Sequence, residues 1–199
     1  ASVSISNSAT IGEGSILQPN CFVGHNVSIG KNCIIHSNVS IYDNSVIGDN
    51  VIIHAGTIIG ADAFYYKKRP EGFDQLLSCG RVVIENNVGI GALCTIDKGV
   101  TGDTTIGEGT KIDNQVHVGH DTIIGKKCFI SHGVIFVNDL IKFGKVETNP
   151  KFFKKTRVGN SVIIGSNSTI LPVAISNNIV IGAGSVVTKN FFAVHSSLF

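Results

Sequence analysis

The chain has 199 residues and a formal net charge of +2, enough length for one sizeable domain and too little positive charge for wholesale nucleic-acid binding. No apolar run reaches the roughly 18 residues of a membrane span and no secretory leader is visible, so a cytoplasmic protein is expected. Five cysteines without a Cys-x-x-Cys pair argue against a disulfide framework, and the absence of Met places the natural start upstream of Ala1 or removes it.

An aliphatic residue stands at every sixth position from the start: Ile5, Ile11, Leu17, Val23, Ile29, Ile35, Ile41, Ile47, Ile53 and Ile59. The fifth place of each unit is small or β-branched, as at Ala9, Cys21, Val27, Cys33 and Thr57, and the second and third places favour turn formers such as Gly, Asp, Asn and His. A period of six is neither helical nor that of one long strand. It suits a short strand, a bend and another short strand, with three units closing a coil and successive coils stacking as parallel strands about 4.8 Å apart. Cys21, Cys33, Cys94 and Cys128 share the fifth place and are expected to be core thiols. His25 stands in a turn, and His36 and His54, one coil apart, should stack on the surface.

An insertion follows at about 65–82. It carries Lys67, Lys68 and Arg69 among Phe64, Tyr65, Tyr66 and Phe73, and Tyr65 and Tyr66 are candidates for stacking on a substrate. The repeat resumes at Ile84, Ile90 and Ile96. After four extra residues near "GVTGD" it runs on through Ile106, Ile112, Val118, Ile124, Ile130 and Phe136. Within this run, "DNQVHVGHD" holds Asn114, His117 and His120. His120 is third in its unit. Lys98 one coil earlier and Asn138 one coil later hold the same place, so the three should form a polar column along one edge.

A second insertion, about 138–157, gathers Lys142, Lys145, Lys151, Lys154, Lys155 and Arg157 with Phe143, Phe152 and Phe153. Such charge suits phosphate-bearing ligands. The pattern returns at Val158, Ile164, Ile170, Ile175, Ile181 and Val187. The step from Ile170 to Ile175 is one residue short, so "ILPVAIS" should hold a local distortion. His132 falls on a different edge from His120 and is expected to be structural. Gly165, Ser166, Gly182 and Ala183 are small enough to let a narrow ligand chain lie against backbone.

The six-residue pattern over nearly the whole chain resembles the hexapeptide-repeat acyltransferases. "GRVVIENNVGIGALCTIDKGVTGDTTIGEGTKIDNQVHVGHD" looks like the lipid A pathway N-acyltransferase, which acylates a UDP-linked glucosamine derivative. "FISHGVIFVNDL" and "VGNSVIIGSNSTILPVAISNNIVIGAGSVVTKN" are similar instead to N-acetyltransferases of nucleotide-linked amino sugars. The resemblance implies an all-β, left-handed parallel β-helix, one domain over 1–199, and a homotrimer with sites between subunits. It further implies acyl transfer to the amine of a nucleotide-linked amino sugar, for cell-surface polysaccharide or lipopolysaccharide synthesis.

The family's catalytic histidine lies in the motif matched by "VGHD", which puts it at His120; imidazole is suited to accept the amine's proton near neutral pH. The family's oxyanion donor, a backbone amide one coil later, falls near Asn138. Lys98, Asn114, His117, Tyr65 and Tyr66 are the expected substrate contacts. Gly165, Ser166, Gly182, Ala183 and Lys189 are the expected contacts of acetyl-CoA, with Lys189 at a place where relatives meet the coenzyme phosphates. The lipid A enzyme also has a front nucleotide-gripping domain and a C-terminal helical extension. Here the repeats begin at once and the end, "NFFAVHSSLF", matches neither group, which favours acetyl-CoA over an acyl carrier protein as donor. Two rivals fit less well. Hexapeptide-repeat carbonic anhydrases hold zinc with histidines five residues apart, and the place five after His120 is Gly125, so no metal is expected. A non-catalytic solenoid of the ice-binding kind needs a Thr ladder, which Thr57, Thr95, Thr110 and Thr122 do not make.

Overall fold

The computed structural model describes residues 2–138 and 155–192, together with the backbone of 141–142 and 145–146. Two-residue strands recur every six positions and assemble into three parallel sheets of nine, eight and eight strands. Face one contains Ser4–Ile5, Phe22–Val23, His117–Val118 and Val186–Val187; face two contains Thr10–Ile11, Ile123–Ile124 and Ala174–Ile175; face three contains Ile16–Leu17, Phe129–Ile130 and Val180–Ile181. Each coil visits the faces in that order. Pairing is parallel throughout the coils, as in Phe22↔Ser40 and His117↔Ile135.

The aliphatic register point is the second residue of each strand, and it turns inward. Val23, Ile35, Ile41, Ile53, Ile59, Ile90, Ile96 and Ile130 are completely buried, and Phe136 is the largest buried side chain. Cys21, Cys33, Cys94 and Cys128 lie in this core as the fifth-place pattern predicts, whereas Cys79 is exposed in the first insertion. Burial pushes the thiols of Cys21, Cys94 and Cys128 up, away from the reactive thiolate.

The corners carry a rule finer than the sequence expectation of turn formers at the second and third places. The residue with left-handed φ is the fourth of the unit, as at Asn20, Asn26, Asn32, Asn38, Asn44 and Asn50. Asn tolerates this conformation better than most side chains, which accounts for its recurrence. The third place has a separate role. An Asx oxygen there accepts the N–H of the third residue one coil below, as from Asp43 to His25 and from Asn86 to Asp49, at 2.7 and 2.8 Å.

Every departure from the six-residue period falls on one edge, between faces one and two. The first insertion leaves there after Ile58–Ala61 and forms an antiparallel hairpin, Tyr66–Arg69 with Gly72–Gln75, before rejoining at Val82–Ile84. The four extra residues lie on the same edge one coil on, between Thr95–Asp97 and Thr104–Ile106. The second insertion leaves after Ile135–Phe136 and rejoins at Arg157–Val158. The shortened corner follows, with three residues between Thr169–Ile170 and Ala174–Ile175. Sheet pairing resumes in register beyond all four, as in Val83↔Val46, Ile123↔Arg157 and Arg157↔Ala174, with one bulge between Ile59 and Ala61 where the first insertion leaves.

Candidate active site

His120 occupies the regular corner between these irregular ones, third in its unit and 18 % exposed. Asp121 follows in the fourth place with the corner's left-handed φ of 57°. That conformation sends its carboxylate beneath the enlarged 98–103 loop. One oxygen, Oδ2, faces His120 Nδ1 at 2.9 Å and accepts the Val100 N–H at 3.0 Å. The other, Oδ1, accepts the Thr101 hydroxyl at 3.3 Å and meets Lys155 Nζ at 3.3 Å. Burial alone would raise this carboxyl, but the His120 bond, the Val100 N–H and the Lys155 charge outweigh it and hold Asp121 well below the ordinary carboxylate range. An oxygen fixed as an acceptor selects the His120 tautomer with hydrogen on Nδ1, and the Nε2 lone pair is then left to take a proton.

The Tyr65 ring stands over His120 with its centroid 6.4 Å away, so the first insertion supplies one wall. Tyr66 turns to Phe64, at 4.7 Å between rings. His117 projects outward from face one. Its Nδ1 lies 2.7 Å from Thr95 Oγ1, and its Nε2 lies 3.9 Å from Asp97 Oδ2. Asp97 is 14 % exposed; burial pushes its carboxyl up, while charge on His117 and His120 pulls the other way.

Lys98, His120 and Asn138 keep the expected backbone register, but their side chains diverge. Lys98 pairs with Asp62 at 2.7 Å. Asn138 turns inward, its Oδ1 accepting the Thr156 hydroxyl at 3.1 Å and the Thr122 hydroxyl at 3.4 Å, and its buried Nδ2 has no partner among the described residues. Asn138 therefore does not make the third-place bond to the coil below, and among the described residues the N–H groups of His120 and Asn138 have no acceptor.

The remaining candidates lie elsewhere. Asn114 sits on the edge between faces three and one, where its Oδ1 accepts the Ala92 N–H at 2.7 Å. Gly165, Ser166, Gly182 and Ala183 share that edge. A Cβ on Gly165 would strike the Ala183 backbone, so close coil stacking demands glycine there. Ser166 Oγ lies 3.0 Å from His132 Nδ1. Lys189 lines an open hollow of about 330 Å³ with Ile181, Gly182, Ser185 and Val187 at the end of the stack. His36 and His54 stack as expected, 4.6 Å and 8° apart. Lys142 and Lys145 are described only as backbone, and Phe143, Lys151, Phe152, Phe153 and Lys154 lie outside the described residues. Among the described residues no three His, Cys, Asp or Glu side chains group to hold a metal ion, and no helix is long and apolar enough to cross a membrane.

Sequence reasoning passes over Asp121 and Asp97 as site residues and reads Lys155 only as one of the phosphate-attracting charges of the second insertion. For Asp121 the signal was present: an acid directly after the histidine, at a place where Asn predominates. Asp97 and Lys155 reach the site only through coil stacking.

The chain matches the family model for bacterial transferase hexapeptide (six repeats) over 8–41, 26–61 and 103–138, and that for the hexapeptide repeat of succinyl-transferase over 155–189. Together the matches take in more than half of the chain. It is 54 % identical over 69 residues to the UDP-3-O-acylglucosamine N-acyltransferase of Rhizobium johnstonii, covering 35 % of this chain and 20 % of that protein. The counterpart from Agrobacterium fabrum is 51 % identical over 73 residues, 37 % and 21 % of the two chains. The matched stretch thus spans about a fifth of these curated relatives. Among solved structures, the UDP-N-acetylglucosamine O-acyltransferase of Moraxella catarrhalis superposes with a TM-score of 0.76 at 25 % identity, over 94 % of this chain and 66 % of that one. The UDP-N-acetylglucosamine acyltransferase of Francisella novicida gives 0.76 at 27 %, over 94 % and 62 %.

Proposed function

This chain belongs to the hexapeptide-repeat family of transferases, left-handed parallel β-helices, and on that premise we propose that it is an acyltransferase. In this reading it moves an acyl group from a thioester to the amine of a nucleotide-linked amino sugar, in the cytoplasm, for lipopolysaccharide or other cell-surface polysaccharide synthesis. The observation that carries the proposal is the His120–Asp121 pair on the edge where the solenoid departs from its period.

The chemistry follows from the geometry. As the amine nitrogen bonds to the thioester carbonyl carbon, it must lose a proton, and His120 Nε2 accepts it. Asp121 stays ionised and stabilises the imidazolium through Nδ1–H. The oxygen that becomes negative needs N–H donors, and the unengaged N–H groups of Asn138 and His120 are the available ones at this corner. When the carbon–sulfur bond breaks, the imidazolium returns its proton to the leaving thiolate. Lys98, His117, Tyr65 and Tyr66 line the acceptor side in this reading, with Asn114 one edge away.

Acetyl-CoA is the proposed donor, lying along Gly165, Ser166, Gly182 and Ala183 with its phosphates toward Lys189. Those four residues and His120 occupy different edges of one coil stack. A homotrimer, in which a neighbouring copy brings its late-coil edge to His120, reconciles them; sedimentation at micromolar concentration reads it directly. A second reading is favoured by the 54 % identity over 69 residues to UDP-3-O-acylglucosamine N-acyltransferase. A thiol-release assay separates the two by offering acetyl-CoA and a 3-hydroxyacyl carrier protein against UDP- and dTDP-linked amino sugars. Transfer from acetyl-CoA supports the first reading. Transfer from the carrier protein alone replaces it with the second. Silence with every donor favours a non-catalytic scaffold.

A further inference from the structure

Among the described aspartates, Asp97 stands apart. Asp43 and Asp49 accept backbone N–H groups one coil away, Asp113 accepts the Asn114 N–H, Asp62, Asp74 and Asp103 pair with Lys98, Arg69 and Arg81, and Asp121 is held by donors on both oxygens. Among the described residues Asp97 accepts no hydrogen bond and pairs with no Lys or Arg, although its side chain is only 14 % exposed. Its nearest ionisable neighbour is His117, at 3.9 Å, too long for a hydrogen bond. A largely buried carboxylate without donors is costly and rare, and it calls for a ligand that brings them.

The surroundings say which ligand. Lys98, the next residue, turns away to Asp62, and Lys155 is held on Asp121, so neither cation is directed at Asp97. His117 is held by Thr95 at Nδ1 and presents Nε2 toward Asp97. Continuing the strand register that sets Thr95 against His117 and Ile96 against Val118 puts Asp97 in line with Gly119, the residue before His120. A carboxylate with free lone pairs therefore lies one strand spacing from the residue that precedes the base.

We infer that Asp97 is the subsite for the attacking nitrogen and holds the acceptor's primary amine, in its ammonium form, next to His120. An ammonium brings three N–H donors and a positive charge to an acceptor that has neither; a hydroxyl brings one donor and no charge. The ammonium first releases one proton to solvent, which frees the nitrogen lone pair while the remaining N–H groups stay on Asp97; the second proton passes to His120 as the bond to carbon forms, and from there to the leaving thiolate. This makes Asp97 the determinant of amine over hydroxyl acceptors, a choice on which the relatives differ, since one is named an N-acyltransferase and another an O-acyltransferase. The inference rests on His120 being the base of an acyl transfer.

The test uses the whole chain and two probes that differ by one group, UDP-glucosamine and UDP-glucose, titrated calorimetrically at about pH 6, where a sugar amine is protonated. The wild type should favour the amine by roughly 10- to 100-fold. Asp97→Asn and Asp97→Ser should each reduce that ratio to within a factor of about 3. Circular dichroism checks that both Asp97 variants are folded. Equal affinity or no binding in the wild type, or an amine preference that survives both Asp97 substitutions, overturns the inference. Thiol release measured in parallel keeps the two ideas apart. Transfer with no Asp97-dependent preference leaves the acyltransferase reading standing and removes this one. An Asp97-dependent preference without transfer to any acceptor keeps the ammonium subsite and removes the acyltransferase reading.

Discussion

Replacing Asp121 separates its two roles, setting the His120 tautomer and supplying charge. In Asp121→Ala both vanish. The imidazole loses its Nδ1 partner, and Val100 N–H, Thr101 and Lys155 lose their acceptor. In Asp121→Asn the amide must choose where to put its NH2 group. At the Oδ2 position it would face the Val100 N–H, which cannot move, and His120. At the Oδ1 position it would face the Thr101 hydroxyl, which rotates, the Lys155 ammonium, which is 39 % exposed and can swing into water, and the Thr101 N–H, whose 3.4 Å contact is weaker than the 3.0 Å bond from Val100. The amide therefore keeps its oxygen toward His120. The tautomer survives and only the charge is lost. A hydrogen bond to a charged group contributes about 1.5–3 kcal/mol, so kcat for Asp121→Asn should fall roughly 10- to 100-fold. Asp121→Ala, losing orientation as well, should fall by about 10³. Steady-state thiol release measures both. An Asn variant as inactive as the Ala variant would refute the amide placement and mean that the tautomer had inverted. Full activity in both would remove the pair from catalysis.

His120→Ala should lower turnover by about 10²–10⁴ without disturbing assembly, because the side chain packs no core; unchanged thiol release would assign the base to the substrate itself. Because Asp121 is depressed in the fold, it stabilises the native state above the unfolded carboxyl value near 4 and loses that contribution as pH falls toward its folded value. Acid unfolding should therefore steepen below about pH 4 in the wild type and flatten in Asp121→Asn, as followed by circular dichroism. Phe136→Ala empties the largest buried position, directly beneath the edge that carries His120, and should cost about 3–5 kcal/mol in denaturant unfolding; a loss under about 1 kcal/mol would mean that the coil collapses to fill the space.

A period of six needs no tertiary information to be seen, because each coil buries the same place of the same unit: Ile35, Ile53, Ile90 and Ile130 could each be assigned inward from spacing alone. The interruptions were legible for the same reason, since a broken count shows where chain leaves the coil, and the short step at "ILPVAIS" sits where the count put it. His120 was named through the motif it shares with a family. What spacing left open was the direction of side chains once a column was aligned. Lys98, His120 and Asn138 are in register, yet an ion pair takes the first to Asp62 and two buried hydroxyls take the last inward. Asp121 becomes the partner of His120 only because a left-handed corner tucks its carboxylate under the 98–103 loop, where Val100 N–H, Thr101 and Lys155 arrive from other coils. Asp97 comes to lie beside His117 only through stacking across the four-residue insertion. A repeat determines which residues share a height and an edge; donors and acceptors contributed by neighbouring coils decide where their charges point.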